Sequence, residues 1–263
     1  VMDMTDNYFQ LRNRPFTYYL NDDSTVNDVF TTNAPGNDAN LGFYPAAPKR
    51  DLISLLEIVD LEAGDQVYID TGIYYLADTN RPVVWGTAQS GKAGEEVMIR
   101  GSWHPDGSWF VATNNFVPYG NNQGFFFMEA NHVDMESVHF RGESIDFRGD
   151  GLKIRGVTLT NRPGKQVSMQ LRGNSNRFED IQVDRGSLTL AGQGNRLERL
   201  RQRWGQTTIV GTNAVLMNSV VYSTNALSTG VEVSALGAAV SNCTIVVPNG
   251  TALSKRGLGT LHL

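Results

Sequence analysis

One short residue pattern recurs throughout the second half of this chain of 263 residues. Each copy begins with a glycine, or once with an alanine, and an apolar residue follows five or six positions later. A second apolar residue comes three positions after the first, and in most copies a third comes five positions after the first. The first apolar residues of the copies are spaced 18 to 24 positions apart, and they are Met135, Ile154, Phe178, Leu197, Met217, Val240 and Leu258. A repeat of this length predicts a solenoid whose stacked coils bury a shared core.

The residues before each glycine alternate as they do in a β-strand. The positions two and four residues before the glycine form two rows across the copies, and both rows are apolar apart from Thr207. The first row is Phe147, Leu171, Leu190, Ile209 and Val233, and the second is Ile145, Met169, Leu188, Thr207 and Val231. Since successive strand side chains point to opposite faces, both rows are predicted to face inward. Three short strands fit into each coil, so the predicted fold class is all-β, a parallel β-helix with three strands per coil.

Two further positions of the repeat are typical of turns. The glycine position and the position that holds Gly156, Asp180 and Asn242 both carry residues that tolerate a left-handed backbone. We therefore interpret both positions as left-handed turns between strands.

The N-terminal part of the chain is organised differently. Residues 1–50 are predicted to form a lead-in strand, at residues 16–20, and polar loops. Leu52, Leu55, Leu56 and Val59 have the spacing of one face of an amphipathic helix, which we place at about 51–62 as the N-terminal cap of a β-helix that spans 51–263. The two parts are expected to form one structural domain. Because the chain stops within a repeat at Leu263, we expect further polypeptide after it.

Composition excludes several classes of function. The net charge of −5 argues against a nucleic-acid-binding protein, and no apolar run is long enough for membrane insertion. The single cysteine, Cys243, rules out an internal disulfide framework, and its place in an apolar position of the repeat indicates packing.

Three segments carry a resemblance to a known superfamily. These are Asn37 to Gly42 with Ala47-Pro48-Lys49, the predicted helix, and Gly64 to Tyr74. Together they resemble the opening of right-handed parallel β-helix proteins of the pectin-lyase-like superfamily, and among these they are most similar to uncharacterised β-helix domains of bacterial surface and secreted proteins. The resemblance implies right-handed coiling, an extracellular or cell-surface location in bacteria, and contact with polysaccharide or a cell surface.

The outward-facing positions of the strand before the glycine hold three of the candidate catalytic residues. Asp146, Arg148 and Arg172 lie on adjacent predicted coils, and an enzyme that removes a proton beside a uronate needs a base and a positive group for the carboxylate. His139 is a further candidate base. Gln170, Thr189 and Glu232 continue the same face as candidate carbohydrate-binding residues. The alternative is an ordinary solvated polar face. The sequence motifs of polygalacturonases, uronan epimerases and alginate-type lyases are absent, which favours a protein without catalytic activity.

A second candidate surface combines arginines with a tryptophan. Arg201, Arg203 and Trp204, with Arg196 and Arg199 nearby, could bind acidic sugars through carboxylate–guanidinium contacts and ring stacking. The alternative is a ladder of surface ion pairs, in which Arg199 would pair with Asp180 and Arg203 with Asp184 of the preceding coil.

The acidic stretch from Asn21 to Asn40 contains candidate ligands for a metal ion. Asp22, Asp23 and Asp38 are candidate calcium ligands, although turn and capping roles account for the same residues. No other cofactor is expected.

These observations favour a non-catalytic extracellular β-helix module of a larger secreted or surface protein, with acidic polysaccharide as its partner. The alternatives are a polysaccharide lyase or uronan epimerase, and a purely structural spacer. A deep groove with a clustered base and carboxylate clamp would indicate the enzyme.

Overall fold

The computed structural model describes residues 15–31, 34–76, 83–103, 114–118, 124–161, 167–223 and 229–256. Within these ranges the chain forms three parallel sheets, in which each strand pairs with its counterpart in the next coil. The chain is therefore a parallel β-helix, as predicted. The predicted repeat that ends at Leu263 and most of the residues between Trp103 and Tyr119 lie outside the described residues.

Sheet 1 contains nine strands and sheets 2 and 3 contain eight each. Sheet 1 consists of β1 (Thr17–Leu20), β2 (Gln66–Ile69), β5 (Val97–Gly101), β8 (Val133–Glu136), β11 (Lys153–Arg155), β14 (Arg177–Glu179), β17 (Arg196–Glu198), β20 (Val215–Met217) and β23 (Ala239–Ser241). Sheet 2 consists of β3 (Gly72–Leu76), β6 (Asn114–Pro118), β9 (His139–Arg141), β12 (Thr158–Thr160), β15 (Gln182–Asp184), β18 (Arg201–Arg203), β21 (Val220–Tyr222) and β24 (Thr244–Val246). Sheet 3 consists of β4 (Val83–Trp85), β7 (Gly124–Met128), β10 (Glu143–Phe147), β13 (Val167–Leu171), β16 (Gly186–Leu190), β19 (Thr207–Ile209), β22 (Thr229–Val233) and β25 (Thr251–Lys255).

The two rows predicted to face inward form the sheet 3 side of the core. Every member of both rows is buried, including Thr207. Thr207 donates from its hydroxyl to the side-chain oxygen of Gln202, which is itself buried on sheet 2, and Gln202 Nε2 donates to Gly186 O at 2.9 Å. A polar pair is thus accommodated in an apolar core because each member is hydrogen-bonded.

The glycine position is explained by close contact between coils rather than by backbone angle alone. A Cβ on Gly149 would lie 1.8 Å from Ala130 O, and a Cβ on Gly192 would lie 1.7 Å from Gly173 O. Gly173 and Gly192 do have positive φ, but Gly149 and Gly211 do not. The left-handed interpretation is therefore wrong for two members of this position.

The second predicted turn position is confirmed as left-handed. Gly156, Asp180 and Asn242 have φ values of 64°, 53° and 50°. Arg199, at the same position of its coil, has a φ of 57°.

A capping helix of the predicted length is not evident. The helix α1 comprises only Leu52–Leu56, and Asp51 caps it by accepting a hydrogen bond from Ser54 N at 2.8 Å. Leu52, Leu55 and Val59 are nevertheless buried, so the predicted apolar face does pack on the core. The helix ends at the C-cap residue Glu57, and the β-branched Ile58 and Val59 that come next favour continuation of a helix less than unbranched residues do. No helix of the described residues is long and apolar enough to cross a membrane.

Candidate functional site

Sheet 3 brings together three of the four candidate catalytic residues. Arg148 Nε donates to Asp146 Oδ2 at 2.8 Å, and Arg172 Nε lies 3.4 Å from Asp146 Oδ1. Arg148 also donates to Glu129 Oε1 at 2.7 Å. These bonds raise the pKa of the Arg148 guanidinium, chiefly through Asp146 and then through Glu129. The group is a compact network in which each arginine already faces an acceptor.

Asp146 is poorly placed to remove a proton from a large substrate. Its side chain is only 7% exposed, and both of its oxygens face guanidinium groups. Asp146 Oδ1 is buried and accepts no hydrogen bond, so one acceptor position remains unused. A base must reach within hydrogen-bond distance of the proton it removes. The arrangement could do so only if a substrate displaced Arg172.

His139 lies on a different sheet from these three residues. It belongs to β9 in sheet 2, and its Nε2 is 2.8 Å from Thr160 Oγ1. Burial, with a smaller contribution from the positive charge of Arg141, lowers the pKa of His139 to about 4. The imidazole is therefore neutral at pH 7.

The predicted carbohydrate-binding row on sheet 3 is in register. Asp146 pairs with Gln170, Gln170 with Thr189, and Glu232 lies two coils beyond Thr189. The side chain of Gln170 accepts a hydrogen bond from Arg172 Nε at 2.7 Å, and Glu232 accepts one from Gln206 at 3.1 Å. The row is a continuous polar strip along the solenoid.

An outward-facing pair of aromatic residues, Phe125 and Phe127, borders this strip and was not recognised from the sequence. Phe125 and Phe127 stack with ring centroids 6.3 Å apart, and the Arg148 guanidinium lies 4.2 Å from the centre of the Phe127 ring. Phe125 is 42% exposed, whereas Phe126 is buried. Strand alternation in the run Phe125-Phe126-Phe127 was the signal that could have identified it.

The second candidate surface lies where sheet 2 turns into sheet 3. Arg185 and Trp204 occupy the same left-handed turn in consecutive coils, with φ values of 57° and 55°, so their side chains lie one above the other. The guanidinium of Arg185 is 4.8 Å from the centre of the indole ring, and that of Arg203 is 4.7 Å from it. We call Arg185, Arg203 and Trp204 the Trp204 patch.

The two arginines of the Trp204 patch are not neutralised. Asp184 and Arg203 are register partners, as expected, but the predicted ion pair between them does not form, because the guanidinium lies over the indole instead. In the part of the chain that the structure describes, no carboxylate lies within 4.0 Å of either guanidinium. Arg201 and the 36%-exposed Tyr222 flank the patch on sheet 2.

The predicted inter-coil pair between Arg199 and Asp180 does form, whereas Arg196 pairs with a residue of its own strand. Arg199 makes two bonds to Asp180, at 2.7 Å and 2.8 Å, and further contacts of 3.1 Å to Glu179 and Glu198. The bonds to Asp180, and then to Glu179, raise the pKa of Arg199. Arg196 pairs with Glu198 at 3.2 Å.

The candidate calcium ligands do not come together. Asp22 accepts hydrogen bonds from Ser24 N at 2.8 Å and from Ile73 N at 2.9 Å, which is a capping role. Asp38 pairs with Arg50 and accepts from Ser54 Oγ at 3.2 Å, while Asp23 is exposed. Among the described residues, no three side chains of the types His, Cys, Asp and Glu are grouped to hold a metal ion.

Comparisons with known proteins establish the fold. No family model matches the sequence, and no curated protein matches it. A solved structure of a rhamnogalacturonan lyase superposes with a TM-score of 0.52 at 16% sequence identity, over 94% of this chain. The chain has the pectin-lyase-like β-helix fold. It spans 65% of the length of that lyase, and at this identity the likeness shows the fold alone.

Proposed function

We propose that this chain is a β-helix module that binds acidic polysaccharide through the Trp204 patch. The observation that carries the proposal is the pair of guanidinium groups at 4.7 Å and 4.8 Å from one indole ring with no carboxylate partner among the described residues. Stacking on an aromatic ring orients a guanidinium while leaving its donors available for bidentate contact with a carboxylate.

The local charge supports this choice of ligand. The protein as a whole carries a net charge of −5, which repels a polyanion, so binding needs a surface where positive charge is concentrated and unpaired. On sheet 3, in contrast, Arg148 and Arg172 already face Asp146. The Trp204 patch therefore presents the more available cations.

Substitutions within the patch test the proposal. Titration calorimetry with polygalacturonic acid and with rhamnogalacturonan should give binding by the native protein. The Arg185→Ala/Arg203→Ala double variant should weaken that binding by about tenfold or more, since each charged hydrogen bond contributes roughly 1.5–3 kcal/mol. Trp204→Ala should weaken it as well.

Arg155→Ala is the matched control, because Arg155 is an exposed arginine that pairs with Glu136 on sheet 1. Its binding should be unchanged. Equal losses in the control and in the patch variants would contradict the assignment of the site.

A polysaccharide lyase or uronan epimerase is the second candidate function. The unused acceptor on Asp146 Oδ1, beside two arginines, favours it. Formation of an unsaturated product that absorbs ultraviolet light, or an altered uronate configuration in the NMR spectrum, would establish it. Either activity should then be lost in Asp146→Asn.

The setting that we propose is extracellular or on a bacterial cell surface, as a module of a larger secreted or surface protein. If no polysaccharide binds and no product forms, a structural spacer becomes the remaining interpretation.

A further inference from the structure

Two buried oxygen atoms near the start of the β-helix accept no hydrogen bond. They are Oδ1 of Asn21 and Oδ1 of Asp28. Asn21 is completely buried. Buried acceptors without a donor are costly, and a bound ion or water is one of the few ways to satisfy them.

The two oxygens belong to side chains that touch. Asn21 Nδ2 donates to Asp28 Oδ2 at 2.7 Å, and also to Ser24 O at 3.0 Å and Ala34 O at 2.8 Å. Three acceptors around Nδ2 fix the orientation of the amide. Its Oδ1 is bonded to the same carbon as Nδ2, so it lies within a few ångströms of the Asp28 carboxylate.

Negative charge accumulates around these oxygens. The pKa of Asp28 is raised, first by burial and then by repulsion from Asp70 and Asp22, while the side chains of Asn21 and Thr31 oppose the change through hydrogen bonding. Burial and the same three carboxylates raise the pKa of Tyr74. Within the described ranges, no lysine or arginine pairs with any of the three carboxylates, as their hydrogen bonds come from uncharged donors.

Asp70 fastens the surrounding loop through hydrogen bonds that engage both of its carboxylate oxygens. Its two oxygens accept from the backbone N–H groups of Val29, Phe30, Thr31 and Thr71, at 2.6 to 2.8 Å. These bonds hold residues 29–31 against the end of β2. The loop is therefore prearranged around Asn21 and Asp28.

We propose that Asn21 Oδ1 and Asp28 Oδ1 are two ligands of a Ca²⁺ ion. Calcium takes six to eight oxygen ligands, with carboxylate, amide carbonyl and water among them, and tolerates irregular geometry. Mg²⁺ demands a near-ideal octahedron and fits a loop site of this kind poorly. The ion satisfies both buried oxygens and offsets the three carboxylates. This ligand set differs from Asp22, Asp23 and Asp38, and the proposal is independent of polysaccharide binding.

Calcium binding to the chelator-treated protein is the test. Adding millimolar Ca²⁺ should raise the melting temperature by about 5 °C, as expected for a ligand well above its dissociation constant, and Mg²⁺ should have little effect. Asp28→Asn should abolish the response to calcium. Asp23→Asn, an exposed carboxylate of the same loop, should keep it.

Direct binding provides a second readout if Asp28→Asn does not fold. Terbium luminescence excited through tyrosine should appear in the native protein, since Tyr74 lies beside the site, and calcium should displace it. An absent response to calcium, or the same response in Asp28→Asn, would overturn the proposal. A melting temperature that rises as pH falls, without a calcium effect, would also overturn it, because Asp28 would then carry a proton shared with Asn21 Oδ1.

Discussion

At the scale of single residues, the repeated glycine is required because of the carbonyl oxygen beneath it. Gly149, Gly173, Gly192 and Gly211 stack so that a Cβ on each would lie 1.7 to 2.5 Å from a carbonyl of the preceding coil. Such distances are far inside van der Waals contact. The glycine therefore sets how closely successive coils can approach at this corner.

Gly149→Ala tests this role without a change in backbone preference, because Gly149 does not have a positive φ. We expect it to lower the free energy of unfolding by roughly 1–3 kcal/mol, the usual cost of overpacking. Gly86→Ala is the control, because its Cβ would meet nothing closer than 3.4 Å. Denaturant unfolding of both variants measures the difference, and equal stability would contradict the steric explanation.

His139 predicts a specific dependence of stability on pH. The pKa of His139 is about 4 in the folded protein, against the ordinary histidine value of 6.5 that applies to the unfolded chain. Between these values the unfolded chain binds a proton that the folded protein does not, so the free energy of unfolding falls as pH decreases from 6.5 to 4. Thermal melts across this window should show a smaller decrease for His139→Gln. An identical pH dependence in the two proteins would show that the half-buried imidazole does not contribute.

At the scale of elements, a ladder of buried asparagines joins the coils at the turn from sheet 3 to sheet 1. Asn195 Oδ1 accepts from Asn176 N at 2.9 Å, and its Nδ2 donates to Gly173 O at 3.0 Å. Asn176 repeats the pattern one coil earlier, with Leu152 N as donor at 2.7 Å and Gly149 O as acceptor at 3.0 Å. The ladder satisfies backbone groups that the sheets leave unpaired.

We expect Asn195→Ala to lower the free energy of unfolding by roughly 1–3 kcal/mol, because buried backbone groups lose their partners. Asn174→Ala is the matched comparison. Asn174 Oδ1 accepts from Gln193 N in a parallel ladder, but the residue is exposed, so water can replace its bonds. Chemical unfolding of the two variants should separate them, and similar losses would refute the role of burial.

The elements also show which features a sequence can predict. The inward rows of sheet 3 followed from period-two alternation, because burial of apolar side chains is a local and repeated requirement. The outward-facing pair Phe125 and Phe127 follows the same alternation, within one strand, although it was not recognised. The placement of Gln202 in the core could not be predicted in this way, since it depends on Thr207 in another strand. The prediction of an Arg203–Asp184 ion pair was wrong for a similar reason. The two residues are register partners, as predicted, but the Arg203 guanidinium packs on the indole of Trp204 instead of the carboxylate. The sequence thus located the candidate site on one surface of the molecule but did not predict how its side chains contact one another.

At the scale of the whole molecule, the three sheets present different outer faces. Sheet 1 carries ion pairs such as Arg100–Asp134 at 2.9 Å and Arg155–Glu136 at 2.6 Å, and its charges are largely compensated. Sheet 3 carries the neutralised network around Asp146. The edge between sheets 2 and 3 presents the Trp204 patch. A parallel β-helix can therefore separate a structural face from a recognition face, because each coil contributes one short segment to each.

The most direct test of the account compares the binding of one polysaccharide in two charge states. Polygalacturonic acid and its fully methyl-esterified form have the same backbone, but only the first offers carboxylates to Arg185 and Arg203. We predict that the native protein binds the acid form, with an affinity that falls as salt is added, and does not bind the ester. Equal binding of both forms would contradict the central claim that unpaired arginines on Trp204 recognise an acidic ligand.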